Sequence, residues 1–307
     1  MMSRYLYLAV LGVLGAMWGA SFLFIKVAVA ELPPETVVAG RLIIAALILL
    51  AVLRWRRLRL PASLRMWGHF LVVGICGVAL PFVLITWGEQ TIPSGMAAIL
   101  NATTPLFATL IGYVWMREDR LSGLRLLGIA LGFVGVVVAV GVQNMHLGGA
   151  SLRGALAVLV AAACYGFSGL YGRRAFRGLP ALVPATGQIC AGALVITPIA
   201  LARHGLPAVP SFYVAGAVLA LALLGTAIAY ILLYWLMERL GATRTSMVTY
   251  LLPPFALLYG GLLLGEQVGV GTIAGLLLVF AGILLANGAL RWPQRQRQPA
   301  TPALPRR

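Results

Sequence analysis

Arg41 is the residue of this 307-residue chain whose position most needs a chemical explanation. It lies about eight residues, or about 12 Å, into an apolar stretch that is long enough to cross a bilayer. A charge at that depth is costly and has to face protein or a cavity. Two interpretations are open: a structural charge that binds backbone carbonyls or Glu89, and a contact to an anionic group such as a carboxylate.

Two prolines at matching positions mark a second place for binding chemistry. Pro105 and Pro253 lie inside apolar stretches, and each proline leaves the carbonyl four residues earlier without its helical N–H partner. Those carbonyls belong to Asn101 and Thr249, which also carry polar side chains. Broken helices of this kind are typical of transporter binding sites. The alternative is a packing kink in which threonine hydroxyls or water bind the carbonyls.

Aromatic and polar residues of the same stretches complete the candidate site. Trp18 and Ser21 share one helix face, where close helix packing and a place in a cavity are both open. For Trp87, near the end of its stretch, anchoring at the membrane interface is the default. The predicted substrate-binding residues are Trp18, Ser21, Phe22, Arg41, Trp87, Asn101, Thr104, Pro105, Tyr165, Gln188, Tyr234, Thr249 and Tyr250.

Other charged residues have simpler explanations. Lys26 lies near the outer end of its stretch and is expected to extend its ammonium group to the surface. Glu118 and Glu266 each precede another helix, where a carboxylate stabilises the positive end of the helix dipole. Glu89 is near the end of its stretch, and no Asp or Glu lies at mid-membrane. The sequence therefore indicates neither a carboxylate proton relay nor a sodium site.

The sequence lacks the residues that metal sites, disulfide frameworks, nucleotide binding and intramembrane enzymes need. The three cysteines lie in apolar stretches without a CxxC pair or a Cys/His cluster, which indicates neither a metal site nor a disulfide framework. No Gly-rich nucleotide loop is present, so ATP-driven transport within this chain is excluded. No intramembrane Ser/His pair or Asp pair supports an enzyme. We expect no cofactor, no metal and no enzymatic activity.

The composition places the candidate site in an all-α polytopic membrane protein. The chain is 61% hydrophobic and 10% charged, with a mean hydropathy of +0.98, which no soluble domain of this length can bury. We predict ten spans, numbered 1 to 10, near residues 5–28, 34–53, 67–88, 92–115, 122–141, 151–172, 181–201, 211–234, 242–264 and 269–289.

A duplication organises the ten spans into two repeats. A shift of 148 positions places Trp87 on Trp235, and a shift of 147 places Arg41 on Gln188. Each repeat holds five spans, an odd number, so the second repeat enters the membrane inverted. An inverted repeat allows one central site to face either side in turn. The predicted units are residues 5–141, residues 151–289 and a disordered basic tail over residues 291–307.

The residues of the first repeat resemble those of a known family. Trp18-Gly19-Ala20-Ser21-Phe22 followed by Lys26 is similar to the opening motif of EamA-type proteins, and Arg41 and the Asn-x-Thr-x-Pro motif that ends at Pro105 also fit. The chain thus resembles the ten-span EamA branch of the drug/metabolite transporter superfamily, including amino-acid exporters of the YddG type. The resemblance implies an exporter in the cytoplasmic membrane, with a central cavity lined by spans 1, 3, 4, 6, 8 and 9.

We therefore predict a secondary transporter that exports small metabolites, most directly amino acids and among them aromatic ones, by alternating access. A sugar-phosphate or nucleotide-sugar exchanger is the alternative, but it needs several cations in the cavity, and only Arg41 and Lys26 are suitably placed. A membrane-embedded enzyme and a channel or scaffold are the other classes. The expected partners are a small-molecule substrate and the lipid bilayer, without nucleic acid, for a monomer or homodimer.

The basic residues predict that both termini are cytoplasmic. With the N-terminus inside, 19 of the 23 Lys and Arg residues lie in cytoplasmic segments and two, Arg153 and Arg203, lie outside. A reporter that is active only in the cytoplasm should therefore be active when it is fused to either terminus of the protein in the inner membrane. An external location of either terminus would contradict this orientation.

Overall fold

Most residues of the described ranges lie in helices that cross the membrane. The computed structural model describes residues 4–116, 122–141, 149–240 and 245–287, and the predicted basic tail lies outside these ranges. Eight helices are long and apolar enough to cross a membrane, and spans 9 and 10 are shorter apolar helices. The spans without an internal break are span 1 (Arg4–Ala28), span 2 (Pro34–Trp55), span 5 (Gly123–Val140), span 6 (Ala150–Ala175), span 7 (Leu182–His204) and span 10 (Val270–Ala286).

A short π-helix divides span 3 and span 8 at equivalent positions. Span 3 consists of helices over Leu64–Gly74 and Leu80–Gly88, with the π-helix Ile75–Ala79 between them. Pro81 contributes to the first break because it has no N–H to continue the α-helical ladder. Span 8 has no proline at this place, so the sequence gives no comparable signal there. It consists of helices over Phe212–Ala222 and Ala229–Leu240, with the π-helix Leu223–Ile228 between them.

Span 4 and span 9 are broken next to the paired prolines. Span 4 consists of Ser94–Asn101 and Thr104–Met116, and span 9 consists of the 3-10 helix Ser246–Tyr250 and the α-helix Leu252–Leu263. The expectation of a bare carbonyl in span 4 is wrong. The hydroxyl of Thr104 donates to the carbonyl of Asn101 at 2.7 Å, and so replaces the N–H that Pro105 lacks. The side chain of Asn101, rather than its carbonyl, is the free polar group.

Reciprocal glycine contacts relate the two repeats. A Cβ atom at Gly19 of span 1 would lie 2.5 Å from Phe255 of span 9, and one at Gly166 of span 6 would lie 2.8 Å from the backbone nitrogen of Ala108 in span 4. Gly166 is the equivalent of Gly19, and span 4 is the equivalent of span 9. The same contact therefore forms in both directions, as a two-fold relation requires. The predicted fold of ten spans in two inverted repeats is confirmed.

Spans 5 and 10 pack against each other through glycines. A Cβ atom at Gly135 would lie 2.6 Å from the backbone nitrogen of Val279, and one at Gly275 would lie 2.5 Å from that of Ala139. The two helices approach closely because these positions have no side chain. Neither span contributes a residue to the cavity described below, and the pair packs against span 4.

Glu31, just before span 2, and Glu35, in its first turn, contact the end of span 7 and the start of span 8. The carboxylate of Glu35 lies 2.7 Å from Nη1 of Arg203 and 3.1 Å from Nε2 of His204. Glu31 accepts a hydrogen bond from the backbone N–H of Ser211 at 2.8 Å. Hydrogen bonds from the side chain and backbone of Ser211 lower the pKa of the Glu31 carboxyl. These contacts join the ends of four spans on one side of the bundle.

Candidate functional site

A cavity of about 300 Å³ lies in the centre of the bundle. Residues from spans 1, 2, 3, 4, 6, 7, 8 and 9 line it, so both repeats contribute walls. Its volume is at the lower end of the roughly 300–1,000 Å³ that is usual for small-molecule sites. Ten of the predicted substrate-binding residues line this cavity: Trp18, Ser21, Phe22, Arg41, Asn101, Thr104, Tyr165, Gln188, Tyr234 and Thr249.

Three predicted residues lie elsewhere. Trp87 is 41% exposed on the outside of the bundle, as the interface-anchor alternative expects. Tyr250 accepts a hydrogen bond from the amide of Asn287 at 3.2 Å and packs on Phe280. Pro105 is the second residue of the helix Thr104–Met116. It contributes to the break in span 4 and does not line the cavity. These positions follow from helix orientation, which hydrophobicity alone does not reveal.

Further wall residues were not predicted from the sequence. Ser168 is the equivalent of Ser21 in the second repeat, so the duplication carried the signal for it. Tyr230 lies one helical turn before Tyr234 and shares its face. Phe82 carried no signal, because the preceding π-helix changes which face of span 3 points inward. The other wall residues are Ile25, Gly77, Ile85, Ala102, Gly169, Leu233 and Leu252.

Arg41 is buried in the cavity wall and binds span 8. Its Nε donates to the hydroxyl of Thr226 at 2.7 Å, and its Nη2 donates to the carbonyl of Gly225 at 3.1 Å. The guanidinium carbon lies 3.8 Å from the ring centre of Phe82. Glu89 is not an ion-pair partner, so of the two structural alternatives only the backbone contact is present. Among the described residues, no acceptor binds the other three of its five N–H groups.

The π-helix of span 8 explains why the carbonyl of Gly225 is free to bind Arg41. In an α-helix the N–H of Ala229 would donate to this carbonyl, but here it donates to the carbonyl of Thr226. The indole N–H of Trp18 donates to the same Gly225 carbonyl at 3.2 Å. One irregular turn thus fixes the arginine of span 2 and the tryptophan of span 1.

The polar groups beside Arg41 are neutral. The side-chain oxygen of Asn101 is buried without a hydrogen-bond donor among the described residues, although it belongs to the cavity wall. The amide of Gln188 donates to the hydroxyl of Tyr234 at 3.2 Å. The cavity therefore offers unused donors at Arg41, and its wall contains an unpaired side-chain oxygen at Asn101. Buried polar groups are normally paired, so unpaired ones at a cavity mark places for water or a polar ligand.

Aromatic rings form much of the remaining wall. Phe82 and Tyr165 meet edge to face with ring centres 6.5 Å apart, and the rings of Tyr230 and Tyr234 are 6.2 Å apart. Trp18 completes this surface from span 1. Apolar walls with a few directed polar groups are typical of sites for small organic molecules. Within the described ranges, no three His, Cys, Asp or Glu side chains come together as a metal site would require.

Lys26 and Glu266 have structural roles that differ from the predicted ones. The ammonium group of Lys26 does not reach the surface; it donates to the carbonyls of Glu89 at 2.5 Å and Ile92 at 2.9 Å. Glu266 does not stabilise the helix that follows it. It accepts hydrogen bonds from the backbone N–H of Ser94 at 2.9 Å and from its hydroxyl at 2.8 Å, at the start of span 4. Glu118 lies outside the described residues.

Comparisons with known proteins agree with the two-repeat architecture. The EamA-like transporter family matches residues 5–141 and again residues 152–288. The uncharacterized transporter YoaV of Bacillus subtilis is 25% identical over 87% of this chain and 92% of its own length. The uncharacterized inner membrane transporter YedA of Escherichia coli is 28% identical over 91% of this chain and 90% of its own.

Two further similarities concern a named exporter and a solved fold. A probable terminal-alkyne amino-acid exporter of Streptantibioticus cattleyicolor is 29% identical over 75% of both chains. A protein crystal structure superposes with a TM-score of 0.66 at 19% identity, and covers 92% of this chain and 97% of its own. At this identity the structural similarity concerns the fold alone.

The contact between Gly225 and Ser21 provides a test of the site geometry. In Gly225→Ala, the new Cβ would lie 2.5 Å from Oγ of Ser21 and 3.2 Å from Nη2 of Arg41. We expect a loss of stability on the order of 1–3 kcal/mol from this overpacking, measured as a lower thermal unfolding midpoint in detergent. Gly216→Ala in the same span is the control, because a Cβ there has no neighbour within 4 Å. Equal midpoints for the two variants would contradict the close contact.

Proposed function

This chain belongs to the EamA-like transporter family, and we propose that it exports small zwitterionic metabolites, most directly amino acids. The observation that carries the proposal is the pairing of Arg41 with Asn101 in one cavity. Arg41 has unused N–H donors, and Asn101 has an unused side-chain oxygen. A carboxylate accepts hydrogen bonds and an ammonium group donates them. An α-amino acid carries the carboxylate and the ammonium group on the same carbon atom.

The electrostatics of Arg41 favour an anionic group in the cavity. Its protein partners are a hydroxyl, a carbonyl and an aromatic ring, none of which carries a negative charge. A net positive charge buried in the membrane is costly, and a substrate carboxylate would neutralise it. Guanidinium binds carboxylates through two parallel hydrogen bonds, which adds orientation to the attraction. The aromatic wall would then contact the side chain of the amino acid.

The volume and charge of the cavity disfavour larger anionic substrates. About 300 Å³ suits a small metabolite better than a nucleotide sugar. Arg41 is the one Lys or Arg among the residues that line the described cavity, since Lys26 binds backbone carbonyls instead. A phosphate ester would need more than one cation. The relative named as a probable amino-acid exporter supports the proposed substrate class, although its own substrate is an unusual amino acid.

Alternating access is the proposed mechanism. The π-helices Ile75–Ala79 and Leu223–Ile228 occupy equivalent positions in the two repeats, and such interruptions mark places where a helix bends. The repeats could exchange their two bent forms, which would open the cavity first to one side and then to the other. We place the protein in the cytoplasmic membrane with both termini inside, in line with the relative that is called an inner membrane transporter.

Arg41→Gln tests the proposed substrate contact and copies Gln188, the residue at the equivalent position. If Arg41 binds the substrate carboxylate, each lost charge-assisted hydrogen bond costs about 1.5–3 kcal/mol, so KM should rise roughly 10- to 150-fold per bond. The measurement is saturable exchange of labelled L-phenylalanine in vesicles that contain the purified protein. The variant should still insert and fold, with a thermal midpoint lowered only modestly by the loss of the bonds to Thr226 and Gly225.

Arg203→Gln is the matched control, because Arg203 is exposed and pairs with Glu35 outside the cavity. It should leave KM unchanged. An unchanged KM in Arg41→Gln would refute the proposed contact. Poor membrane insertion or a collapsed thermal midpoint of Arg41→Gln, with normal behaviour of Arg203→Gln, would instead make Arg41 a structural charge.

A further inference from the structure

Glu89 is a buried acid without a hydrogen-bond partner. Its exposed fraction is 0%, and neither oxygen of its carboxyl group has a donor among the described residues. The sequence marks Glu89 as the only acid that could be more than superficially buried, but its place near the end of its span did not indicate a proton relay. An ionised carboxylate in such a place is very costly, whereas the protonated form is not. The environment therefore favours a proton on Glu89.

The position of Glu89 connects it to the cavity. It follows directly on the helix Leu80–Gly88, one turn after Ile85 and two turns after Phe82, which both line the cavity. These three residues share one face of the helix. The π-helix before Leu80 separates this helix from the first part of span 3. A movement of the helix would therefore displace the cavity wall and the acid together.

The charged groups around Glu89 are bound to other partners. Lys26 of span 1 donates to two backbone carbonyls and forms no ion pair with the carboxyl of Glu89. Arg41 of span 2 binds Thr226, and Glu266 at the end of span 9 binds Ser94. Span 6 packs beside Glu89 through Gly154 and Val158, which carry no charge. Lys26 and Arg41 lie near enough to attract a negative charge on Glu89 and Glu266 repels one, but none of them makes an ion pair or a hydrogen bond with its carboxyl group in this conformation.

We propose that Glu89 is the proton-binding site that couples substrate export to proton entry, an inference that rests on the transport function proposed above. In the conformation described here, Glu89 holds the proton. In the alternative conformation, in which the cavity opens to the cytoplasm, the helix Leu80–Gly88 moves, cavity water reaches the carboxyl, and the O–H bond releases its proton to that water on the cytoplasmic side. The equivalent residue of the second repeat is Met237, so the cycle carries one proton at one site.

The orientation of the chain sets the direction of coupling. In the orientation predicted from the arginines, the end of span 3 faces the outside, so Glu89 takes up its proton from there. The inward proton gradient of a respiring cell would then drive substrate outward. A zwitterionic substrate carries no net charge, so one imported proton per exported molecule moves one positive charge inward.

The thermal stability of Glu89→Gln tests the proton site without any substrate. Glutamine keeps the shape of the protonated acid but cannot ionise. An acid that keeps its proton in the folded state, but has an ordinary pKa near 4.3 when unfolded, destabilises the fold as the pH rises. The midpoint of Glu89→Gln should therefore rise relative to the wild type between about pH 5 and about pH 8, by roughly 3 °C per pH unit.

Two variants serve as controls in this comparison. Glu238→Gln removes an exposed carboxylate near the end of the equivalent helix of span 8, and should follow the wild type at every pH. Glu89→Met copies the residue of the second repeat and should behave as Glu89→Gln does, which guards against an effect of glutamine itself. If Glu89→Gln and the wild type show the same pH dependence, Glu89 binds no proton and the proposal is overturned.

Transport in vesicles tests the coupling. Vesicles loaded with labelled L-phenylalanine should lose it faster when the outside is acidic. Glu89→Gln should lose this acceleration but keep the exchange of labelled for unlabelled phenylalanine at equal pH, because exchange needs no net proton movement. Acceleration that persists in Glu89→Gln would overturn the proposal while transport stands. Absence of exchange in the wild type would contradict the proposed transport function, and with it the coupling, whatever the midpoints show.

Discussion

The bond from Arg41 to the irregular turn of span 8 is the interaction on which the central site depends. It joins the first repeat to the second at the cavity wall, through the hydroxyl of Thr226 and the carbonyl of Gly225. In a regular α-helix each interior carbonyl already accepts one backbone N–H, which leaves it a single lone pair for a side chain. The π-helix releases one carbonyl, and Arg41 and Trp18 both use it. The remaining donors of the arginine are thereby left for the cavity.

The two repeats have similar backbones, but their buried polar side chains differ. Gly19 and Gly166 make the same close contact in opposite halves, and the π-helices recur at equivalent positions. The fully buried charged groups among the described residues belong to the first repeat alone. Where that repeat has Arg41 and Glu89, the second has Gln188 and Met237. In the proposed mechanism, symmetry in the backbone gives the two conformations, and asymmetry in the side chains sets the orientation of the substrate.

The sequence predicted the spans, the duplication and half of the cavity wall because these follow from hydrophobicity, spacing and the cost of burying Arg41. It did not predict which polar groups would form hydrogen bonds with one another. The hydroxyl of Thr104 binds the carbonyl that Pro105 leaves free, and Lys26 binds carbonyls instead of reaching the surface. Glu89 is fully buried although it lies at the end of its span. Each outcome depends on neighbours from distant spans, which a periodic pattern does not identify.

Binding of three related ligands to the purified protein tests the central claim, that the cavity recognises a carboxylate and an ammonium group together. L-Phenylalanine carries both groups, phenethylamine lacks the carboxylate and 3-phenylpropionate lacks the amine, while the ring is the same. The account predicts that phenylalanine raises the thermal unfolding midpoint at concentrations at which neither analogue does, and that the Arg41→Gln protein loses this preference. Equal effects of the three ligands on the wild type, or no effect of phenylalanine, would contradict it.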